Sequence, residues 1–81
     1  MSSYIYMING ELNSSGKKDF LCDTVDDIKK LPRSGFRGTL ECTTDYTLND
    51  PCSIGSTALV CSDDGTFVVY MLMPSNEWKK L

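Results

Sequence analysis

The chain contains no histidine. That absence removes the commonest general base, the commonest neutral metal ligand and every nucleophile activated by an imidazole. Long apolar runs are missing as well. The longest, residues 67–73, has seven residues, where a bilayer crossing needs about 20. The opening segment MSSYIYMING has no basic region and only five successive apolar residues, 4–8. No secretory signal is visible, and the sequence predicts a protein made and folded inside a cell. Positive charge is scarce: eight Lys and Arg stand against eleven Asp and Glu, for a net charge of −3 and a pI near 4.6. A broad grip on nucleic-acid phosphates is not expected. Neither is a membrane partner.

The four cysteines, Cys22, Cys42, Cys52 and Cys61, never fall in a C-x-x-C spacing. Neither a zinc ribbon nor a thioredoxin-like redox site is therefore indicated. Reduced thiols are the default for a protein folded in the cytosol. The sequence predicts mostly buried free thiols, Cys61 among them because it ends an apolar strand. One or two disulfides formed after release from the cell, or a metal site, are the alternatives.

What the chain does contain suits a globular protein: 41% hydrophobic and 23% charged residues over 81 positions. That length predicts one domain, 1–81, small enough to lean on a disulfide, a metal or a neighbouring subunit. Residues 3–8 alternate aromatic and aliphatic side chains and run into Asn9-Gly10, a strong hairpin signal. Residues 13–18 (NSSGKK) read as a polar loop. In residues 24–31 (TVDDIKKL), Thr24 and Asp27 have capping-box spacing, Val25, Ile28 and Leu31 form an apolar stripe, and Pro32 stops the helix. A turn-rich connector at 33–38, a short strand at 39–43 and an irregular loop at 45–55 follow. Strands at 56–61, 66–73 and 77–80, joined by SDDG and PSN turns, complete an antiparallel meander. The predicted fold class is mainly β (α+β): a small antiparallel β-meander or sandwich-like domain with one short helix.

The strand at 66–73 carries Phe67, Val69, Met71 and Met73 on one face and Val68, Tyr70 and Leu72 on the other. Neither face is polar, whereas a free-standing antiparallel sheet turns polar residues to solvent. Either the helix and other strands cover both faces, or one face packs on another protein chain. The candidate interface residues are Phe67, Val69, Tyr70 and Met71, with Trp78.

Catalytic constellations are few. Asp26 and Asp27 suit the first turn of a helix, and Asp63-Asp64-Gly65 suits a tight turn. Adjacent carboxylates point apart and cannot act as a glycosidase couple. Residues 45–49 resemble an alternating-oxygen calcium loop, but Asp50 and Ser56 stand where its glycine and bidentate glutamate belong. Asn13-Ser14-Ser15 matches a glycosylation acceptor, which means little without a secretion signal. Trp78 with Tyr70 and Tyr4 would make a sugar-stacking platform, although such aromatics more often serve core or interface. The sequence predicts no enzyme, no cofactor and no metal.

The order GSTALV (55–60), a short turn, VVYMLM (68–73) and NEWKKL (76–81) resembles small virion-associated proteins of tailed bacteriophages and prophages. These read as a D-x-L-P lead-in, G-S-x-A-x-V, V-Y-x-L and a terminal tryptophan. Here the lead-in is Asp27-Ile28-Lys29-Lys30-Leu31-Pro32, two residues longer. The likeness covers residues 24–81 and leaves out the N-terminal hairpin and the cysteines. It implies a structural protein of the virion, made in the bacterial host cytoplasm, that packs onto or between other virion subunits and copies of itself. A capsid-associated accessory or decoration role leads. A tail or baseplate component, a small carbohydrate-binding module and a small regulator with an acidic surface are the alternatives.

Overall fold

The computed structural model describes residues 5–11, 14–40 and 46–81. The chain is mainly β, as its sequence predicts. Five strands, β1 (Ile5–Asn9), β2 (Asp19–Cys22), β3 (Thr57–Cys61), β4 (Phe67–Leu72) and β5 (Trp78–Lys80), form one sheet in the order β1-β2-β3-β4-β5. The meander β3-β4-β5 is antiparallel throughout, with Leu59 opposite Val69 and Leu72 opposite Trp78. The β3–β4 turn closes as its SDDG sequence dictates. Gly65 takes a φ of +85°, and Asp64 Oδ1 accepts from the Thr66 N–H at 3.1 Å and its hydroxyl at 2.6 Å.

The N-terminal half departs from expectation in four respects. First, Asn9-Gly10 does not close a two-residue hairpin. A bulge falls between Met7 and Asn9, and β1 pairs with β2 only after the chain has travelled through residues 10–18. Second, β2 runs parallel to β3, with Phe20 beside Ala58 and Leu21 beside Leu59, so the sheet is mixed rather than wholly antiparallel. A parallel neighbour requires a long crossover, here residues 23–56. Third, the capped segment is a 3-10 helix, Val25–Lys30, rather than an α-helix. Its apolar residues recur every third position, the spacing at which 3-10 side chains eclipse. Ile28 and Leu31 are buried while Val25 is exposed. The buried Asp27 carboxylate accepts from the Thr24 N–H at 3.1 Å, as the capping spacing predicts. Fourth, Thr39 and Leu40 lie in no strand. Their N–H groups go instead to the Lys30 carbonyl (2.7 Å) and Asn49 Oδ1 (2.9 Å). The rest of that expected strand lies outside the described residues.

The crossover covers one face of the sheet. Ile28, Leu31, Leu40, Leu48 and Cys52 from the crossover cluster with Ile5, Phe20, Cys22, Ala58, Val60 and Leu72 from the strands. A second 3-10 turn, Tyr46–Asn49, carries Leu48 into this cluster. The β4–β5 turn is tied to the crossover by Asn76, whose φ is +64°. Its amide donates to the Ser34 carbonyl and accepts from the Ser34 N–H, each at 2.9 Å.

Candidate functional site

Side chains alternate across a strand, and paired positions share a face. The pairing therefore sorts the sheet into two sides. On the covered side, Met7, Phe20, Ala58 and Tyr70 form one transverse row, and Leu72 pairs with Trp78 in another. On the other side, Tyr6, Leu21, Leu59 and Val69 form an uninterrupted apolar row across four strands. Cys61 and Phe67 flank it on one side, and Thr57, Met71 and Lys79 on the other. Phe67 and Tyr6 are 56% and 55% exposed. Leu81, whose N–H donates to the Val69 carbonyl at 2.9 Å, lies exposed at the edge. The charged residues paired into this open face, Asp19 and Lys79, stand at its margin beside Thr57 and Met71.

The structure divides the predicted interface residues between the two sides. Phe67, Val69 and Met71 share the open face. Tyr70 and Trp78 lie on the covered side, packed against the core. Trp78 stands edge-on to Phe20, ring centroids 6.3 Å apart, and its indole N–H donates to the Pro32 carbonyl at 2.9 Å. The sugar platform of Trp78, Tyr70 and Tyr4 is not displayed as such: two of its members serve the core, and Tyr4 lies outside the described residues. Sequence reasoning missed Tyr6, Leu21 and Leu59. The alternation at 3–8 was the available signal for Tyr6. Leu21 and Leu59 join the patch only through the parallel β2–β3 pairing.

Asp19 sits at one margin. Burial alone would raise its pKa. Hydrogen bonds from the Thr57 hydroxyl and the Asn9 amide, with the Lys17 ammonium 3.5 Å away, outweigh burial and hold the carboxyl below its ordinary value of 3.8. A carboxyl with a lowered folded-state pKa stabilises the protein above its unfolded value. That contribution disappears as pH falls through the folded value. Chemical denaturation followed from neutral pH into acid should show the wild type losing more stability than Asp19→Asn, with the difference appearing below about pH 4. Parallel curves would mean that Asp19 is energetically silent.

Cys61 is exposed rather than buried, because it ends β3 on the uncovered side opposite Phe67. Cys22 and Cys52 are buried, and all three are free thiols. Burial pushes the Cys52 thiol up, and its S–H donates to the Pro32 carbonyl at 3.5 Å. Cys42 and Asn13 lie outside the described residues. In the calcium-like segment, Asn49 Oδ1 accepts from Leu40 N–H and Asp50 Oδ1 pairs with Arg37 at 2.8 Å, so both side chains serve the fold. Asp45 lies outside the described residues. Among the described residues, no helix is long and apolar enough to cross a membrane. Comparison with known protein families, curated proteins and solved structures finds no match to this chain.

Proposed function

We propose that the protein is a non-catalytic structural component that works by adhesion, burying its open sheet face against a neighbouring protein subunit. The observation that carries this reading is the Tyr6–Leu21–Leu59–Val69 row, flanked by Phe67 and Met71. Contiguous exposed apolar patches of this kind mark protein contacts, and large aromatics are favoured in such contacts. The sequence resemblance supports a finer assignment. The subunit belongs to a tailed-bacteriophage particle, as a capsid-associated accessory or decoration protein that contacts other virion proteins and its own copies.

Phe67→Asp and Tyr70→Asp test this reading as a pair. An unpaired charge in a dry contact costs about 3–5 kcal/mol. Phe67→Asp is expected to remain folded by circular dichroism and to lose assembly by sizing or particle incorporation. Tyr70→Asp is expected to destabilise the monomer itself, because Tyr70 faces the core. A wild-type protein that stays monomeric at high concentration and is absent from purified particles would overturn the proposal.

A further inference from the structure

On the covered side, between the first 3-10 turn, the connector after Pro32 and the start of β5, lies a cleft of about 480 Å³. Such a volume is in the range of small-ligand sites. Its charge is opposite to that of the protein. Lys29, Lys30, Arg33 and Arg37 line it with a single carboxylate, Glu77. Four of the chain's eight basic residues and one of its eleven acidic residues thus meet here. The lining side chains sum to +3, with Arg37 itself paired to Asp50 just outside them, while the rest of the chain carries −6.

The walls are fixed before any ligand arrives. Gly38 presses so closely on the turn that a Cβ there would sit 2.6 Å from the Lys30 carbonyl and 2.7 Å from the Pro32 nitrogen. The Arg33 and Phe36 backbones exchange two hydrogen bonds of 3.0 Å, and the Arg33 guanidinium lies 4.9 Å from the Phe36 ring centroid. Asp50 holds Arg37 at 2.8 Å. The Pro32 carbonyl anchors Trp78, which lines the cleft with Ile28 and Leu31. Of the four cations, Arg33 and Arg37 are thus held in place, which lowers the ordering entropy lost on binding.

We propose that this cleft binds a small anionic sugar, a hydroxylated ring bearing one carboxylate or phosphate. The guanidinium and ammonium groups match the anion. The half-buried indole of Trp78 offers an apolar wall to the ring. Glu77 accepts from ring hydroxyls, and the Thr39 hydroxyl supplies a further polar partner. Glu77 also disfavours a polyanionic chain by placing a negative charge inside the site. The cleft lies across the sheet from the open face, so its occupancy and assembly through that face are separate properties.

Trp78 is the chain's one tryptophan, so its fluorescence reports this cleft directly. The intact protein is titrated with glucuronate and with glucose 6-phosphate, with glucose, inorganic phosphate and a glutamate-rich peptide in parallel at matched ionic strength. A saturable change with glucuronate or glucose 6-phosphate, and none with glucose, is expected. The acid sugar that gives the stronger response identifies the anionic group. Arg33→Gln removes an exposed side chain and should weaken that response about tenfold, since a hydrogen bond to a charged group supports a difference of that size. Circular dichroism confirms that the variant is folded. Glu77→Gln should lower the preference for the acid sugar over inorganic phosphate. No saturable change, an equal response to inorganic phosphate, or a response to the acidic peptide alone would overturn the proposal.

Discussion

Replacing Phe20 with alanine is expected to lower the free energy of unfolding by about 3–5 kcal/mol, the range for truncating a fully buried phenylalanine. At about 0.05–0.15 kcal/mol per residue, 81 residues correspond to roughly 4–12 kcal/mol in total. About a quarter or more of the stability therefore rests on one side chain. Phe20 is fully buried, pairs with Met7 on one side and Ala58 on the other, and meets Trp78 edge-on. Truncation leaves a void bordered by β1, β3 and the Trp78 ring. At about 4–8 °C per kcal/mol for a chain of this size, the midpoint of thermal unfolding falls by at least about 12 °C. Phe36 and Phe67, both more than half exposed, supply the contrast. Alanine at either, measured on dilute monomer, should change stability by about 0.5 kcal/mol or less. A loss below about 1 kcal/mol for Phe20→Ala would place β2 outside the core.

That β2 should be central was not legible from the sequence, for physical reasons. Asp19, Phe20, Leu21 and Cys22 span four residues, too few for an alternation to stand out, and they follow a polar, glycine-containing stretch. The strand's stability comes from two neighbours. β1 is reached through residues 10–18, and β3 lies beyond the crossover. Neither pairing leaves a local turn signature. The meander was legible because each of its pairings is local, and SDDG and PSN specify the turns between them. The surplus of apolar residues on 66–73 was legible as a pattern too. Its resolution required the fold: Leu72 belongs to the core cluster and Val68 and Tyr70 pack against it, while Phe67, Val69 and Met71 stand on the other side of the sheet. Periodicity alone already separates Tyr70 from Phe67, three positions apart on alternating faces, but it cannot place Trp78. In strands, residues one apart point to opposite sides, and Trp78 takes its side from its partner Leu72. The basic cleft was hidden for a similar reason. Its lysines and arginines all fall within positions 29–37, where they read as a solvated run, and the packing of β5's start against that segment brings Glu77 and Trp78 in to close the walls.

Adjacent lysines supply the second large effect. In NSSGKK both read as solvated loop, yet Lys18 is 1% exposed. Its ammonium donates to the Asp50 and Pro51 carbonyls, each at 3.3 Å. Its own N–H donates to Ser56 Oγ at 3.0 Å, and its carbonyl accepts from the Thr57 N–H at 3.1 Å. One residue thus joins the entry of β2 to the end of the crossover and the entry of β3, where the parallel pairing begins. Lys18→Ala removes the stem that fills this space and leaves two carbonyls without their donor. A loss of about 2–4 kcal/mol is expected, combining the cavity with the unsatisfied groups. Lys18→Met separates the two contributions. It keeps most of the volume, forfeits the donor and also removes the cost of burying a charge. Its loss should be smaller than that of Lys18→Ala, about 1–2 kcal/mol. Lys17→Ala changes an exposed partner of Asp19, with 59% of its side chain accessible. It should therefore fall within about 0.5 kcal/mol of wild type. Urea unfolding of the three variants gives the ranking. If Lys18→Met matched or exceeded wild type, the ammonium–carbonyl bonds would contribute no net stability, and the side chain's volume alone would account for its burial.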